Sequence, residues 1–525
     1  MSAFPTDDTA RNQPRRIVRI LRAVIFGAAV VATVVALFYA EENWRGERAW
    51  AAHVKAMAAL GESLDLESFL PAPVPDDRNF AKTPVLNALA YEPNSSAVQL
   101  VKRLRAMVRG QSPEFPWIRG RPIDWQECLA GLPAKVRRES SDASASPTAQ
   151  ILAILKPLEP VLVELRAAAR TRPLGQFRSR LTLDNRFDFP NLGSLLELSQ
   201  LLGFYATAEL AEGKIDQAFE DTLVLHRLAT VIGTDGTLLG VMVNAAITGG
   251  GEMQVFWEGW QGSRWTPVQN EAMQTQFGAW NAPAAYNRAL RKERALHTQF
   301  FGGDKVDVTK LALRPHQKWL FALMPRGWWR QNMIAYDLAM QQALTNGFNE
   351  TPVRYLSVEN ARLEAQFKEL KQTRSPFRWL AKVAMTSFDK TLSNLANEAN
   401  RIPMAGVVCA LERYKAERGE YPETLEVLVP KFAAALPTDL YTGQPFRYQR
   451  TPDGQFQLYS IGPDGKDDDG VKGDDWAWPA RSVPQVGPAH DDESRQDSLN
   501  ARERYQSEID RRRRLRAGAV QGQAQ

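Results

Sequence analysis

The chain has 525 residues, of which 44% are hydrophobic and 24% are charged, and its formal net charge is only +5. This length can supply two or three folded domains, and the ordinary composition excludes a chain that is disordered throughout. Much of the positive charge lies in the first 22 residues and in Arg511–Arg516, so no large basic face remains for nucleic acid. Cys128 and Cys409 are too few for a disulfide framework, although one disulfide between them stays open.

Residues 17–40 predict a single transmembrane helix, preceded by a disordered cytoplasmic tail at 1–16. Ala23–Tyr39 carries no charge, and about 20 apolar residues cross the hydrocarbon core of a bilayer. Arginines precede this run and two glutamates follow it, which predicts a cytoplasmic N-terminus and puts the bulk of the chain on the other side of the membrane. A cleaved signal peptide is the alternative, but the apolar run is long and ends without a small-residue cleavage site.

After the span, residues 41–147 are predicted to hold an exposed juxtamembrane helix and then a mixed region. Helical spacing continues through Trp50, His53 and Met57, whereas the prolines in Leu70–Phe80 disfavour a helix. The run Glu139–Pro147 is rich in Ser and Ala, which is typical of a linker.

Residues 148–400 predict a mainly α body, either an irregular helical bundle or a short helical repeat. Leu192–Ile232 contains two apolar-periodic helices that break at 212–214, with small-residue spacing similar to one tetratricopeptide-type helix pair. No 34-residue repeat recurs to decide between the two architectures. The glycines of Gly249–Gly251 are expected to break the next helix.

Residues 403–479 predict a small α+β module, and residues 480–525 predict a disordered polar tail. A helix ends at Gly419, and two strand-like runs, Phe446–Gln449 and Phe456–Ile461, flank a Pro-Asp-Gly turn. The following loop, Asp464–Asp475, contains six aspartates between glycines. Calcium prefers six to eight oxygen ligands, so this loop predicts a calcium site; a solvated acidic loop without metal is the alternative.

The motifs in Ala410–Pro430, Leu436–Tyr448 and Leu458–Trp478 resemble the globular domain of the major pseudopilins of type II secretion systems. The resemblance extends over residues 409–479 and implies an α+β fold with a calcium-binding loop. It matches Asp464 to the aspartate of the family's Gly-x-Asp-Gly turn, and Asp474 and Asp475 to its closing acidic pair.

Two further residues of the module are candidate calcium ligands. Leu458 precedes the loop and could lend its backbone carbonyl, while Asp467 is an alternative carboxylate because the stretch after Asp464 is longer than in the family. The predicted ligand set is therefore Asp464, Asp474 and Asp475, with the backbone of Leu458 and the side chain of Asp467 as additional candidates.

The anchor departs from the pseudopilin pattern. Gly27 is followed by Ala instead of the usual Phe, and no glutamate follows it before Glu41, so the helix lacks the processing signal. We therefore expect a permanent tether. The overall layout resembles membrane-anchored proteins of planctomycete- and verrucomicrobia-type bacteria that end in a similar module, a resemblance that implies no activity.

No catalytic motif stands out in the sequence. The five histidines form no metal-binding pair, and His226 is expected to be a packed or surface helix residue instead of a general base. The Trp-rich runs Trp257–Trp265 and Trp319–Trp329 favour core or interface over a pocket. The sequence thus predicts a non-enzymatic, periplasm-facing scaffold or assembly protein with protein partners. An envelope hydrolase and a small-ligand sensor are the alternatives.

Overall fold

The computed structural model describes residues 13–108, 120, 122–138, 144–177, 180–181, 187–188, 190–302, 318, 321, 323–350, 353–384, 391–470 and 476–478. These residues are mostly helical and include two-stranded and three-stranded antiparallel sheets, which confirms the predicted mainly α class. The tail predicted at 480–525, most of the one at 1–16, and the candidate ligands Asp474 and Asp475 lie outside the described residues.

The elements below are numbered along the described residues. The helices are α1 (Gln13–Ala59), α2 (Pro84–Tyr91), α3 (Ser96–Val108), α4 (Trp125–Gly131), α5 (Ala134–Arg137), α6 (Pro147–Leu155), α7 (Glu159–Thr171), α8 (Leu192–Ala211), α9 (Ile215–Gly233), α10 (Leu238–Ala246), α11 (Met253–Gln261), α12 (Pro267–Ala279), α13 (Ala282–Gly302), α14 (Arg326–Gly347), α15 (Ser357–Gln372), α16 (Trp379–Ala384) and α17 (Thr391–Arg418). The strands are β1 (Arg180–Leu181), β2 (Phe187–Asp188), β3 (Phe348–Glu350), β4 (Val353–Tyr355), β5 (Arg447–Arg450), β6 (Phe456–Ser460) and β7 (Trp476–Trp478).

Helix α1 contains the predicted span and continues well past it. By length and composition it is able to cross a membrane, and its apolar window is exposed throughout. The continuation was expected to be exposed, and this is wrong for one face. Glu42 and His53 are buried against α14, and Met57 is buried against Arg294 of α13. The three positions lie at helical spacing on one side of α1.

One large hydrophobic cluster joins the middle of the chain to its C-terminal part. It contains side chains of α2, α3, α6 to α9, α11, α12 and α17, together with the strands β6 and β7. The two helices predicted in Leu192–Ile232 are confirmed as α8 and α9. Their turn contains Gly213, whose φ of 79° is the left-handed conformation that favours glycine after a helix.

A second hydrophobic cluster lies beside the first and next to α1. It is built from α10, α13, α14, α15, α16 and the first half of α17, and it includes the fully buried Tyr286 and Leu290. Because α14 packs on both α1 and α13, this cluster connects the long N-terminal helix to the rest of the molecule.

The glycines Gly249–Gly251 do not break the helix, contrary to the prediction. They lie in a π-helical segment, Ile247–Glu252, that joins α10 to α11 without a gap. Because these glycines have no side chains, the backbone of α8 approaches Gly251 and the Glu398 carboxylate approaches Gly249. A Cβ on Gly203 would lie 2.9 Å from the Cα of Gly251, and a Cβ on Gly249 would overlap the Glu398 side chain. Tertiary packing therefore keeps a helix where glycine propensity disfavours one.

Helix α17 runs without interruption through residues 400–403, where the sequence predicted a change of domain. Its C-terminal half leads to the sheet β5–β6–β7, in which the two predicted strands pair antiparallel as expected. In the third strand, the ring centroid of Trp478 lies 5.8 Å from that of Phe256 and 5.8 Å from that of Trp260, both in α11. The module and the helical body thus share one core.

Candidate functional site

The described part of the acidic loop supplies two of the predicted carboxylates. Asp464 accepts a hydrogen bond from the backbone of Lys466 at 3.1 Å, and Asp467 accepts one from the Tyr459 hydroxyl at 3.0 Å. Asp467 also lies 3.3 Å from Arg447, so a cation already neutralises part of its charge. Gly462, Gly465 and Gly470 have positive φ values, which fits a tightly turning loop.

The described residues alone do not make a metal site. They contain no group of three or more His, Cys, Asp or Glu side chains placed to hold an ion. Leu458 is fully buried in the middle strand, where it pairs with Tyr448 and Trp478. Since Asp474 and Asp475 lie outside the described residues, the calcium site stays a prediction that rests on Asp464, Asp467 and the donor chemistry of the loop.

A buried ionic cluster connects α1 to the body, and we call it the junction cluster. Its residues are His53, Glu62, Arg291, Arg294 and Asp337. Arg294 is the centre: its Nε lies 2.7 Å from Asp337 Oδ1 and its Nη1 lies 3.0 Å from Glu62 Oε2. His53 Nε2 approaches the other Asp337 oxygen to 2.8 Å. The cluster ties together α1, α13, α14 and the turn after α1.

The burial of Arg294 and Asp337 makes the junction cluster sensitive to the loss of either residue. The Arg294 side chain is fully buried and Asp337 is 3% exposed. Burial raises the pKa of Asp337, but hydrogen bonds from His53 and Arg294 outweigh it and hold that pKa below its usual range. Removal of one partner from such a buried pair typically costs about 3–5 kcal/mol, because the remaining charge is left without compensation.

Close backbone contact reinforces the same junction. A Cβ on Gly327 would lie 1.8 Å from the Glu42 carbonyl oxygen, and one on Gly46 would lie 2.2 Å from the Cα of Gly327. The Gly327 amide donates a hydrogen bond to the Asn43 side chain at 2.9 Å. Helices α1 and α14 therefore cross at a point where both require glycine.

A polar groove of about 360 Å³ lies between α7, α9 and α12. Among its lining residues are Arg166, Arg170, Glu220, His226, Arg227 and Gln276. Two glutamates in or next to the groove are paired with arginines: Glu209 with Arg166 at 3.0 Å and Glu220 with Arg170 at 2.7 Å, between the charged nitrogen and the carboxylate oxygen. Burial, together with the nearby Asp221, raises the pKa of Glu209 to about 7 despite Arg166.

His226 is the chemically most distinctive residue of this groove. Its Nδ1 lies 3.2 Å from Oε1 of Glu252, a carboxylate whose side chain is fully buried at the end of the π segment. Its Nε2 lies 3.5 Å from the Thr230 hydroxyl, one helical turn further along α9. The order carboxylate, imidazole and hydroxyl is the one found in nucleophilic hydrolases, although 3.5 Å is long for a hydrogen bond.

The electrostatics of the pair follow from its burial. Desolvation lowers the pKa of His226, but the charge and hydrogen bond of Glu252 outweigh it and raise that pKa above its ordinary value. A buried carboxylate on Nδ1 orients the ring and increases the basicity of Nε2. The pair can therefore serve as a general base, and it can equally be a buried ion pair that stabilises the packing of α9 on the π segment.

Sequence reasoning missed the role of Glu252. Of the two predicted environments for His226, packed or surface, the structure shows a largely buried side chain, and its partner Glu252 lies 26 residues away. The sequence offered one signal, a single glutamate after three glycines in the otherwise uncharged run Ala245–Trp257. A lone acid in such a run must find a partner, and π segments frequently occur at functional sites.

The Trp-rich runs contribute to the core where they are described. Trp257 is 1% exposed and Trp265 is 8% exposed, and three cavities formed by described residues are lined by no tryptophan. Cys128 and Cys409 are both buried thiols, and the disulfide left open by the sequence does not form between them. Burial raises the pKa of both thiols, which makes them unreactive.

Comparison with known proteins adds no identity. No protein-family model, no curated protein and no solved structure matches the chain.

Proposed function

We propose that this protein is a membrane-anchored scaffold or assembly protein of the bacterial inner membrane, with its N-terminus in the cytoplasm and its bulk in the periplasm. The observation that carries the proposal is the junction cluster. It clamps the continuation of α1 onto α13 and α14, so the helical body cannot swing freely about the anchor. A tether of this kind holds a large surface at a set height and orientation above the membrane, which suits protein partners.

The C-terminal module belongs to the same proposal. Its strands lie in the core that the helical body also uses, so the module is presented in a fixed position. Calcium would be held by Asp464, Asp474 and Asp475, with Asp467 and the Leu458 carbonyl as further ligands. When bound, it would stiffen the exposed loop at the outer edge of this module.

Crosslinking in native membranes tests the scaffold. We expect mild crosslinking of the full chain to give discrete products with other membrane or periplasmic proteins. A Gly327→Val variant, in which α14 cannot approach α1, should lose these products while it remains in the membrane. The matched variant His226→Gln should retain them. The proposal is contradicted if the wild-type chain gives no discrete products. It is also contradicted if hydrogen exchange shows that the junction is open in Gly327→Val and the products persist.

A second candidate function is an envelope hydrolase, favoured by the His226–Glu252 pair that borders the groove. In this case Nε2 of His226 would take a proton from Thr230 or from a water in the groove. A screen of purified protein against ester, amide and phosphoester substrates tests it. Turnover that is lost in both His226→Gln and Glu252→Gln, but kept in Glu220→Gln, would establish the enzyme. Equal rates for wild type and His226→Gln would exclude this site.

A further inference from the structure

The end of the apolar segment of α1 is covered on one side by a distant part of the chain. The Tyr39 hydroxyl donates a hydrogen bond to the Leu323 carbonyl, and the Phe38 ring lies 6.1 Å from the ring of Trp328. The Trp328 indole N–H in turn donates to Glu42 at 2.8 Å. Residues 323–328 are therefore fastened to α1 at the level of residues 38–42.

Further aromatic rings extend this contact sideways. Trp328 packs edge-on against Phe377, with ring centroids 5.2 Å apart, and the ring centroids of Phe321 and Trp379 lie 3.8 Å apart. Trp329, the buried neighbour of Trp328 along α14, packs on the second pair, with its ring centroid 5.8 Å from that of Phe321 and 6.4 Å from that of Trp379. We call the partly exposed rings the aromatic collar; its residues are Phe38, Tyr39, Phe321, Trp328, Phe377 and Trp379.

The height of the aromatic collar is set by the length of the apolar segment. A helix rises 1.5 Å per residue, so the charge-free run Ala23–Tyr39 is about 26 Å long. With the long side chains of Arg19 and Arg22 reaching the headgroups at its N-terminal end, the helix matches a hydrocarbon core of about 30 Å. Phe38 and Tyr39 then fall at the boundary between acyl chains and headgroups, and the residues fastened to them fall at the same depth.

The chemistry of this surface suits a lipid headgroup layer. Trp and Tyr concentrate at membrane interfaces because an apolar ring carries one polar group that needs water or a hydrogen-bond partner. Apolar side chains at this level remain exposed: Leu323 is 51% and Phe38 46% accessible. The exposed side chains of Arg374 and Arg378 flank Phe377 and are suited to lipid phosphates.

We propose that the aromatic collar is a second, non-spanning membrane contact that lies in the headgroup layer where α1 emerges. The occupant of this surface is the bilayer itself, because the collar is continuous with the exposed apolar face of the span. The inference rests on the proposed membrane anchoring by α1. Together with the junction cluster, it holds the body against the membrane at two points, so that rotation about α1 is prevented.

Quenching of single fluorophores by lipid tests the contact. The full chain is reconstituted in phosphatidylethanolamine–phosphatidylglycerol bilayers that contain lipids brominated near the headgroup. An environment-sensitive thiol dye is attached at Leu323→Cys, at Val31→Cys within the span, or at Leu60→Cys. Leu60 is 66% exposed and lies about 30 Å beyond the collar along α1. The unmodified chain, whose two cysteines are buried, gives the labelling background.

We expect the dye at Leu323 to be quenched several-fold more by brominated lipid than the dye at Leu60, and several-fold less by aqueous iodide. Equal quenching at Leu323 and Leu60, with Val31 still quenched by lipid, would overturn the collar contact and leave the anchor intact. Protection of Leu323 from both quenchers would mean that another protein surface covers it, which also overturns the inference. Lack of lipid quenching at Val31 would instead overturn the anchoring on which both proposals depend.

Discussion

At the scale of single residues, His226 shows how burial and charge oppose each other. The imidazole is 18% exposed, which disfavours its charged form, yet the adjacent Glu252 reverses this effect and raises its pKa. A histidine whose folded pKa lies above the unfolded value of 6.5 contributes stability that is complete below that value. This stability is lost as the pH rises through the folded pKa.

The pH dependence of unfolding should therefore report the His226–Glu252 pair. The melting temperature of the wild-type chain is expected to fall as the pH rises above the unfolded pKa of 6.5, with other titrating groups adding a common background. In Glu252→Gln the melting temperature at low pH should be lower than that of the wild type. The decrease in melting temperature between low and high pH should also be smaller. Glu220→Gln, which alters the same groove without contact to His226, is the control. A fall of equal size in Glu252→Gln and wild type would show that the pair is not ionic.

At the scale of elements, the crossing of α1 and α14 depends on two glycines. Both Gly46 and Gly327 have backbone atoms of the other helix closer than any Cβ tolerates. The crossing brings Asn43 and Glu42 into hydrogen-bonding distance of α14, so it sets the geometry of the junction. Helix propensity alone would favour alanine at both positions.

Alanine should therefore have opposite effects at two helical glycines. Gly327→Ala forces α14 away from α1 and is expected to destabilise the protein by about 1–3 kcal/mol, as overpacking typically does. Gly278→Ala in α12, where no atom lies within 4 Å of the new Cβ, should stabilise it by up to about 1 kcal/mol. Denaturant unfolding in detergent measures both. Stabilisation by Gly327→Ala would show that the helices do not cross as closely as described.

The acidic loop is the element in which calcium should act. We expect millimolar calcium to slow amide hydrogen exchange in residues 458–470 of the full chain, since a ligand that binds only the folded loop stabilises it. The triple variant Asp464→Asn, Asp474→Asn, Asp475→Asn should abolish this effect. Asp453→Asn, in the exposed turn between β5 and β6, should leave it unchanged. An effect of calcium that survives the triple variant would remove these aspartates as ligands.

At the scale of the whole molecule, the C-terminal module is part of the main core. Trp478 and Phe456 pack on α11, and α17 lies along α12. The Trp260 indole also donates a hydrogen bond to Glu412 of α17 at 2.7 Å. Loss of contacts in the module should therefore reach the helical body.

Trp478→Ala is expected to lower the stability of the body as well as the module. Truncation of a buried tryptophan typically costs about 3–5 kcal/mol. Hydrogen exchange should accelerate in α11 and in β6 to a similar extent, because the two share one cluster. The control is Trp44→Ala, whose side chain is 62% exposed on α1. Faster exchange in β6 alone would mean that the module unfolds independently of the body.

Sequence alone determined those features that depend on local pattern. The apolar run of α1, the break between α8 and α9 at Gly213 and the hairpin of β5 and β6 each follow from periodicity or turn chemistry within a few residues. Tertiary structure decided what depends on contacts between distant segments. It turned Gly249–Gly251 into a continuous π segment, placed Glu252 beside His226, buried one face of α1 in an ionic cluster, and brought Trp328 to the end of the span. These pairs are separated by between 26 and nearly 300 residues, so only packing brings them together.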